Sequence, residues 1–377
     1  MKILIAPDSF KHSLSAVEAA QAMAGGIREV LPNAELILKP MADGGEGTLD
    51  TLLAATGAEL RHSPVQNPLG RNIHARWGWL PESQTALVEL AAASGLMRLK
   101  PDERDACRAS SYGTGELIRA ALNAGAVRIL LGIGGSACVD GGSGLLQALG
   151  ARLLNTQGTS ITAGGAGLAE LATIDLSALD TRLSQVSIEV LCDVDNPLCG
   201  EQGAACVFAP QKGANPEQVA QLETALAHFA ECAKNRLGKD FSTHPGSGAA
   251  GGAGFALQAF LGAKIVQGAA KVAEVIELGN AMQNCDFVIT GEGCLDTQTL
   301  HGKTICGVLQ IARRQSVPVI ALTGTLGEGY QALYTQGLTA AFSLVNGPLS
   351  LEHACQNASR LLQERAQDIA RLLTAVR

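Results

Sequence analysis

The stretch MKILIAPDSFKHSLSAVEAAQAMAGGIREVLPNAELILKPMADGGEGTLDTLL (residues 1–53) decides the fold. Lys2–Ala6 is a short apolar run closed by Pro7-Asp8-Ser9, which reads as a buried strand with a turn at its exit. Ser15 and Glu18 make an S-x-x-E capping box. Behind it Val17, Ala20, Met23, Ile27 and Val30 recur at helical spacing, and Pro32-Asn33 ends the helix. Glu35–Met41 reads as a second strand, followed by ADGGEG and a short helix through Leu53. A β-α-β-α order of this kind makes its strands parallel.

The same rhythm returns near the C-terminus. Cys285–Thr290 reads as a strand ending in TGEG, with a helix near Thr304–Arg314 after it. Val317–Thr323 is another strand, ending in GTLG; Ala340–Val345 is a fifth, and the tail from Leu351 is helical. The two chain ends together supply five strands, enough for one doubly wound sheet. The middle differs. It opens on VQNPLGRN and carries strands around Ala75–Leu80, Thr85–Leu90, Val127–Gly132 and Ile188–Cys192, with a flexible or tightly turning PGSGAAGGAG at Pro245–Gly254. We expect an α/β fold with two α/β domains: a doubly wound parallel sheet from residues 1–64 and 279–377, and a second α/β domain, 65–278, inserted into it. Two sequential domains split near residue 190 are the alternative, disfavoured because neither chain end alone has enough strands for a closed core.

Composition agrees. The 377 residues are 47% hydrophobic and 17% charged, ample for buried cores, and the 44 Gly with only 3% aromatics suit parallel strands and tight turns. A formal charge of −7 with no basic block argues against a nucleic-acid partner. Ten Cys without a C-x-x-C pair point to small core residues in a reducing compartment rather than a zinc site or a disulfide scaffold. The first apolar run is too short for a signal peptide, and there is no uncharged apolar stretch of about 18 residues. We therefore expect a cytoplasmic protein with no membrane partner; a homo-oligomer remains open.

Ligands of open parallel sheets bind beyond the carboxyl ends of the strands, so the strand exits are where chemistry should sit. They are APDSFK with Asp8, Ser9 and Lys11 (His12 beside them), ADGGEGT with Asp43 and Glu46, TGEGCLD with Glu292 and Asp296, GIGGSACVDGG with Ser136 and Asp140, and CDVDNP with Asp193 and Asp195. Such a set implies carboxylates able to hold Mg²⁺ or take a proton, and glycine-flanked amides able to cradle phosphate oxygens. Two familiar motifs fail on inspection. GIGGSA (132–137) matches G-x-G-x-x-A, yet the next strand, ARLLN, ends in Asn155 where a dinucleotide site wants an acid. HGKT with Lys303 resembles the end of a P-loop, but Thr297 stands where its first Gly belongs.

Taken together, MKILIAPDSFKHSLSA, PMADGGEGT, NPLG, ELAAASGL, SSYGTGELI, GIGGSACVDGGSG, CDVDNPL, FAPQKGA, PGSGAAGGAG and TGEGCLDTQTLHGKT resemble, in order and nearly end to end, the bacterial glycerate kinase family of the type acting on D-glycerate. One departure is Ala137-Cys138-Val139, where small polar residues are expected. The resemblance implies phosphorylation of D-glycerate by ATP, with 2-phosphoglycerate the product, and two α/β domains, one a flavodoxin-like doubly wound parallel sheet and one inserted into it, with the active site between them. On this footing Asp8, Ser9 and Lys11 are candidates for binding the small hydroxy acid. Gly134, Gly135, Ser136, Lys212, Gly291 and Glu292 are candidates for the nucleotide and its phosphates. Asp193, Asp296 and Lys303 are candidate catalytic residues, and Asp195, Asp43 and Glu46 candidate Mg²⁺ ligands. Two other classes compete: an NAD-dependent 2-hydroxy acid dehydrogenase, opposed by the missing acid after GIGGSA, and a non-catalytic two-lobed acid-binding protein, opposed by the absent export signal and the density of acids.

Overall fold

A computed structural model describes residues 1–300 and 304–375. The chain divides into two compact units. Met1–Asp43, Asp50–Gly57 and Gln267–Arg377 form the first; Gly44–Leu49 and Ala58–Val266 form the second. The first is built on β1 (Lys2–Ile5), β2 (Glu35–Leu38) and three strands from the far end of the chain. The second holds β3 (Glu59–Gln66), β4 (Asn72–Leu80), β5 (Thr85–Glu89), β6 (Arg128–Gly132), β7 (Arg152–Leu154), β8 (Thr173–Asp175), β9 (Ser187–Leu191) and β10 (Lys264–Val266). The first unit is completed by β11 (Phe287–Leu295), β12 (Val319–Leu326) and β13 (Leu338–Ser343).

In the first unit the five strands pair in the order β13-β12-β11-β1-β2, all parallel. This is the 2-1-3-4-5 order of flavodoxin-like sheets, with its switch point between β1 and β11. The helix Ala16–Val30 starts where its capping box predicts: the Ser15 hydroxyl accepts the Glu18 N–H and the Glu18 carboxylate accepts the Ser15 N–H. Its apolar stripe, including Met23 and Ile27, is buried with Ile3, Ile5, Ile289 and Leu322. The same core takes Leu362, Ala366 and Ile369 from the helix Ala358–Ala375. Burying roughly ten such side chains is the main stabilising term here, at about 1.5–3 kcal/mol each.

The second unit carries a six-stranded mixed sheet, β10-β9-β6-β5-β4-β3. β10, β9, β6 and β5 are parallel; β4 and β3 close one side as an antiparallel pair. β7 and β8 form a separate antiparallel ribbon. The sequence-based edge at 64/65 cuts through β3, whose eight residues all pair with β4. Pro64 and the polar run ELRHSPVQ hide that strand, and it is an edge strand, where a missing N–H does least harm. Among the cysteines, Cys107, Cys138, Cys285 and Cys306 are buried, five more are half-buried and Cys294 is exposed, so fewer are core residues than expected.

The segment Pro245–Gly254 starts at exposed Pro245, is otherwise buried except for half-buried Ala250, and overlaps the first turns of the helix Ala249–Leu261. Ala250, Gly251 and Gly252 all have left-handed backbones. The Gly251 carbonyl accepts the Gly141 N–H at 3.0 Å, and a side chain at Gly251 would begin 2.0 Å from the Cys138 carbonyl. Gly251→Ala therefore meets both backbone strain and a backbone clash. We expect it to lower unfolding stability by about 3 kcal/mol, read as a lower urea midpoint at unchanged slope.

Candidate active site

The switch point of the first unit brings together three strand exits. The Asp8 N–H donates to the Gly291 carbonyl at 2.8 Å, extending the β1–β11 pairing past the strand's end. The Met41 N–H donates to the Pro7 carbonyl at 2.8 Å, which aligns the exit of β2 with that of β1. The half-buried Asp8 carboxylate accepts the Ser9 N–H at 2.6 Å and the Thr304 hydroxyl, which stands at the start of the helix Thr304–Gln315. Burial, and then the neighbouring Asp43 carboxylate, push the Asp8 carboxyl up to about 6, against the opposing pull of Thr304, Ser9 and Lys11. On β11, Glu292 accepts the hydroxyl of buried Thr299 at 2.7 Å. That same oxygen accepts the Asp296 N–H at 3.3 Å. Thr299 thus holds Glu292 and the Asp296 backbone in one turn. Gly291 is buried in the sheet, where a side chain would strike the Leu322 carbonyl. Lys11 is exposed, and Lys303 lies outside the described residues.

In the second unit the loop after β6 supplies a different chemistry. Gly135 has a left-handed backbone, φ 71°. Its carbonyl accepts the Leu96 N–H at 2.9 Å, and the Ala137 N–H donates to the Ser94 carbonyl at 2.9 Å. Among the described residues no partner is found for the Gly135 and Ser136 amides. Successive amides released by one left-handed residue make a concavity suited to an anion. Gly44 and Gly45 pack against this region: a side chain at Gly44 would meet the Leu191 carbonyl at 2.7 Å, and one at Gly134 would meet Gly45 at 2.6 Å. Exposed Glu46 follows directly, and exposed Asp193 and Asp195 leave the neighbouring β9. Lys212 is buried, its ammonium donating to Ser136 Oγ at 2.7 Å and the Cys138 carbonyl at 2.8 Å. Ala137, Cys138 and Val139 turn their side chains into the interior, so apolar residues are tolerated where polar ones were expected.

The candidate residues thus fall into two sets. Asp8, Ser9, Lys11, Asp43, Gly291, Glu292 and Asp296 belong to the first unit; Glu46, Gly134, Gly135, Ser136, Asp193, Asp195 and Lys212 belong to the second. Thr299, Thr304 and Ser111 were missed. Each is a hydroxyl holding a carboxylate, and a lone Ser or Thr carries no spacing signal of its own. Among the described residues no group of three or more His, Cys, Asp or Glu side chains is arranged to hold a metal ion. The dinucleotide fingerprint also lacks its context. The strand after it, β7, pairs antiparallel with β8 outside the main sheet, and Asn155 spends its side chain on a turn, accepting the Gln157 and Thr159 N–H groups. Among the described residues no helix is long and apolar enough to cross a membrane.

Comparison with known proteins gives one consistent answer. The profile of the glycerate kinase family matches residues 3–374. A glycerate kinase of Bacillus subtilis is 47% identical over 370 residues, 98% of this chain and 97% of that one. A glycerate 2-kinase of Escherichia coli is 45% identical over 373 residues, 99% of this chain and 98% of that one. The crystal structure of a protein assigned as glycerate kinase 2 from Salmonella typhimurium LT2 superposes with a TM-score of 0.88 at 47% identity, covering 100% of this chain and 98% of that one.

The setting of Asp8 makes a direct prediction. Carbon-13 carboxyl NMR should show Asp8 titrating at about 6. Asp43→Asn removes a neighbouring negative charge and should lower that midpoint; Thr304→Val removes a hydrogen bond to the ionised form and should raise it.

Proposed function

The chain belongs to the glycerate kinase family, and we propose that it transfers the terminal phosphoryl group of ATP to D-glycerate, giving 2-phosphoglycerate and ADP. The observation that carries the reading is the placement of Asp8: a half-buried carboxyl, bonded by Ser9 and Thr304, at the switch point where doubly wound sheets take their ligands, with burial and Asp43 pushing it up to about 6. A group of that acidity is ionised at neutral pH yet basic enough to receive a hydroxyl proton. The E. coli relative's name, glycerate 2-kinase, favours the C2 hydroxyl as acceptor.

In this scheme the C2 hydroxyl oxygen forms a bond to the γ-phosphorus, and the bond from that phosphorus to the β,γ-bridging oxygen breaks. ADP departs with the electron pair, and the hydroxyl proton passes to Asp8. Ser9 and Lys11 bind the hydroxy acid, the Lys11 ammonium pairing with its carboxylate. Thr304 orients Asp8, and Glu292 and Asp296 face the nucleotide from the turn that Thr299 holds. In the second unit the Gly135 and Ser136 amides take phosphate oxygens, and Lys303 in HGKT neutralises charge on the transferring group. Asp8 is preferred to exposed Asp193 as the base because burial is what raises a carboxyl toward neutrality. If Mg²⁺ accompanies ATP, Asp43 of the first unit and Glu46 and Asp195 of the second are the carboxylates that would help hold it, and it would neutralise charge on the phosphates.

The test is direct. With ATP, Mg²⁺ and D-glycerate the protein should release ADP in step with ester formation, and phosphorus NMR should place the phosphate on C2; an ester on C3, or none, overturns the assignment. Asp8→Asn should cut kcat by about 10²–10⁴-fold. In the wild type, kcat/KM should fall about tenfold per pH unit below about 6, because only ionised Asp8 can accept the proton.

A further inference from the structure

Buried charge grips the loop after β6 at both ends. At one end stands Lys212, 3% exposed, closing the short turn Pro210–Lys212. It spends one N–H on the Ser136 hydroxyl oxygen and another on the Cys138 carbonyl. At the other stands Asp140, fully buried. Its carboxylate accepts the Ser111 N–H and hydroxyl, both at 2.8 Å, and the N–H groups of Gly142 at 3.1 Å and Gly144 at 3.3 Å. Ser111 Oγ in turn accepts the Leu145 N–H at 2.9 Å. Asp140 thereby ties the loop to the starts of the helices Tyr112–Asn123 and Ser143–Ala148.

A buried ammonium carries a large desolvation cost, and an apolar side chain of similar length usually fills such a place more stably. Burial pulls the Lys212 ammonium down to about 8, while Cys138 and Asp140 oppose that pull, so it is mostly protonated at neutral pH. The Cys138 thiol is pushed up by the same burial and stays neutral. The cation therefore sits against two neutral acceptors of one loop, and what it gains there is the shape of that loop. Donation from Lys212 also makes Ser136 Oγ an acceptor on that side, which leaves the hydroxyl proton free to point elsewhere.

We propose that Lys212 is a positioning residue: with Asp140 as the fixed far anchor, it locks the Ser136–Cys138 turn so that the Gly135 and Ser136 amides and the Ser136 hydroxyl converge on a terminal phosphate of a nucleoside triphosphate. The ligand in this statement rests on the function proposed above; the locking does not.

Two measurements on the full-length chain separate these. Without ligand, hydrogen exchange reads the Leu96 and Ala137 amides, whose bonds cross this loop. Lys212→Met should speed their exchange at least tenfold while amides of β9 stay unchanged; equal protection in both proteins overturns the locking. In steady state, Lys212→Met should raise KM for ATP at least thirtyfold and leave KM for D-glycerate within twofold. Parallel rises in both overturn the positioning role. Should Lys212→Met fail to fold, Ser136→Ala removes one of the two anchors at little change in volume. It should speed the same two amides at least threefold, and unchanged exchange there overturns the proposal. A wild type that binds no ATP refutes the kinase reading and leaves the exchange result standing.

Discussion

The pairing of β1 with β11 is the constraint on which the first unit depends. Ile3, Leu4 and Ile5 lie opposite Phe287, Val288 and Ile289, and the Asp286 carboxylate accepts the Lys2 N–H at 2.7 Å at the start of the ladder. Four residues of strand suffice because both neighbours of β1 are parallel and its side chains are almost wholly buried. The register continues beyond the strand through Ala6 and Asp8, and so it dictates where the Asp8 carboxylate meets Thr304. A slip of one residue would exchange the face of Ile3 and Ile5 with that of Leu4, undoing the packing on both sides of the sheet, and would turn Asp8 away from its partners.

Much of this was legible, and the misses have physical causes. The opening strand, its capped helix and β2 announce themselves because local signals and the global fold agree. β11 was read as ending at Thr290, since TGEG looks like a turn; in fact it pairs with β12 as far as Leu295. Glycine there serves close approach of strands, so Glu292 stands on a strand and not in a loop. β7, β8 and β10, at three residues each, are too short to show a period, and the helix Ala249–Leu261 hides behind its own glycines.

The candidate site divides along similar lines. Acids at strand exits could be picked out from topology alone, because that is where parallel sheets expose polar groups. Their hydroxyl partners could not, and neither could the burial of Lys212, because a lysine before glycine in FAPQKGA gives no sign of the enclosed oxygens it meets. The two units also hold charge by different means. Asp8 keeps a partly frustrated setting, pushed up by burial and then by Asp43 and eased by Thr304, which suits a group that changes protonation. Asp140 is held by five donors, from Ser110, Ser111, Gly142 and Gly144, and serves as a fixed anchor for the backbone around it.

The chain order of these elements bears on how the protein matures. A ribosome releases β1 and β2 first and β11 only after every strand of the second unit. During synthesis the opening strands must wait with apolar faces uncovered, while residues 58–266 already hold a complete six-stranded sheet of their own. Ordering β1 means closing a loop of some 280 residues, an entropic demand that grows only logarithmically with length but that non-local pairing alone can repay. The sheet that positions Asp8 can therefore close only after β11 has been made, and until then MKILIA is an apolar segment without its strand partner.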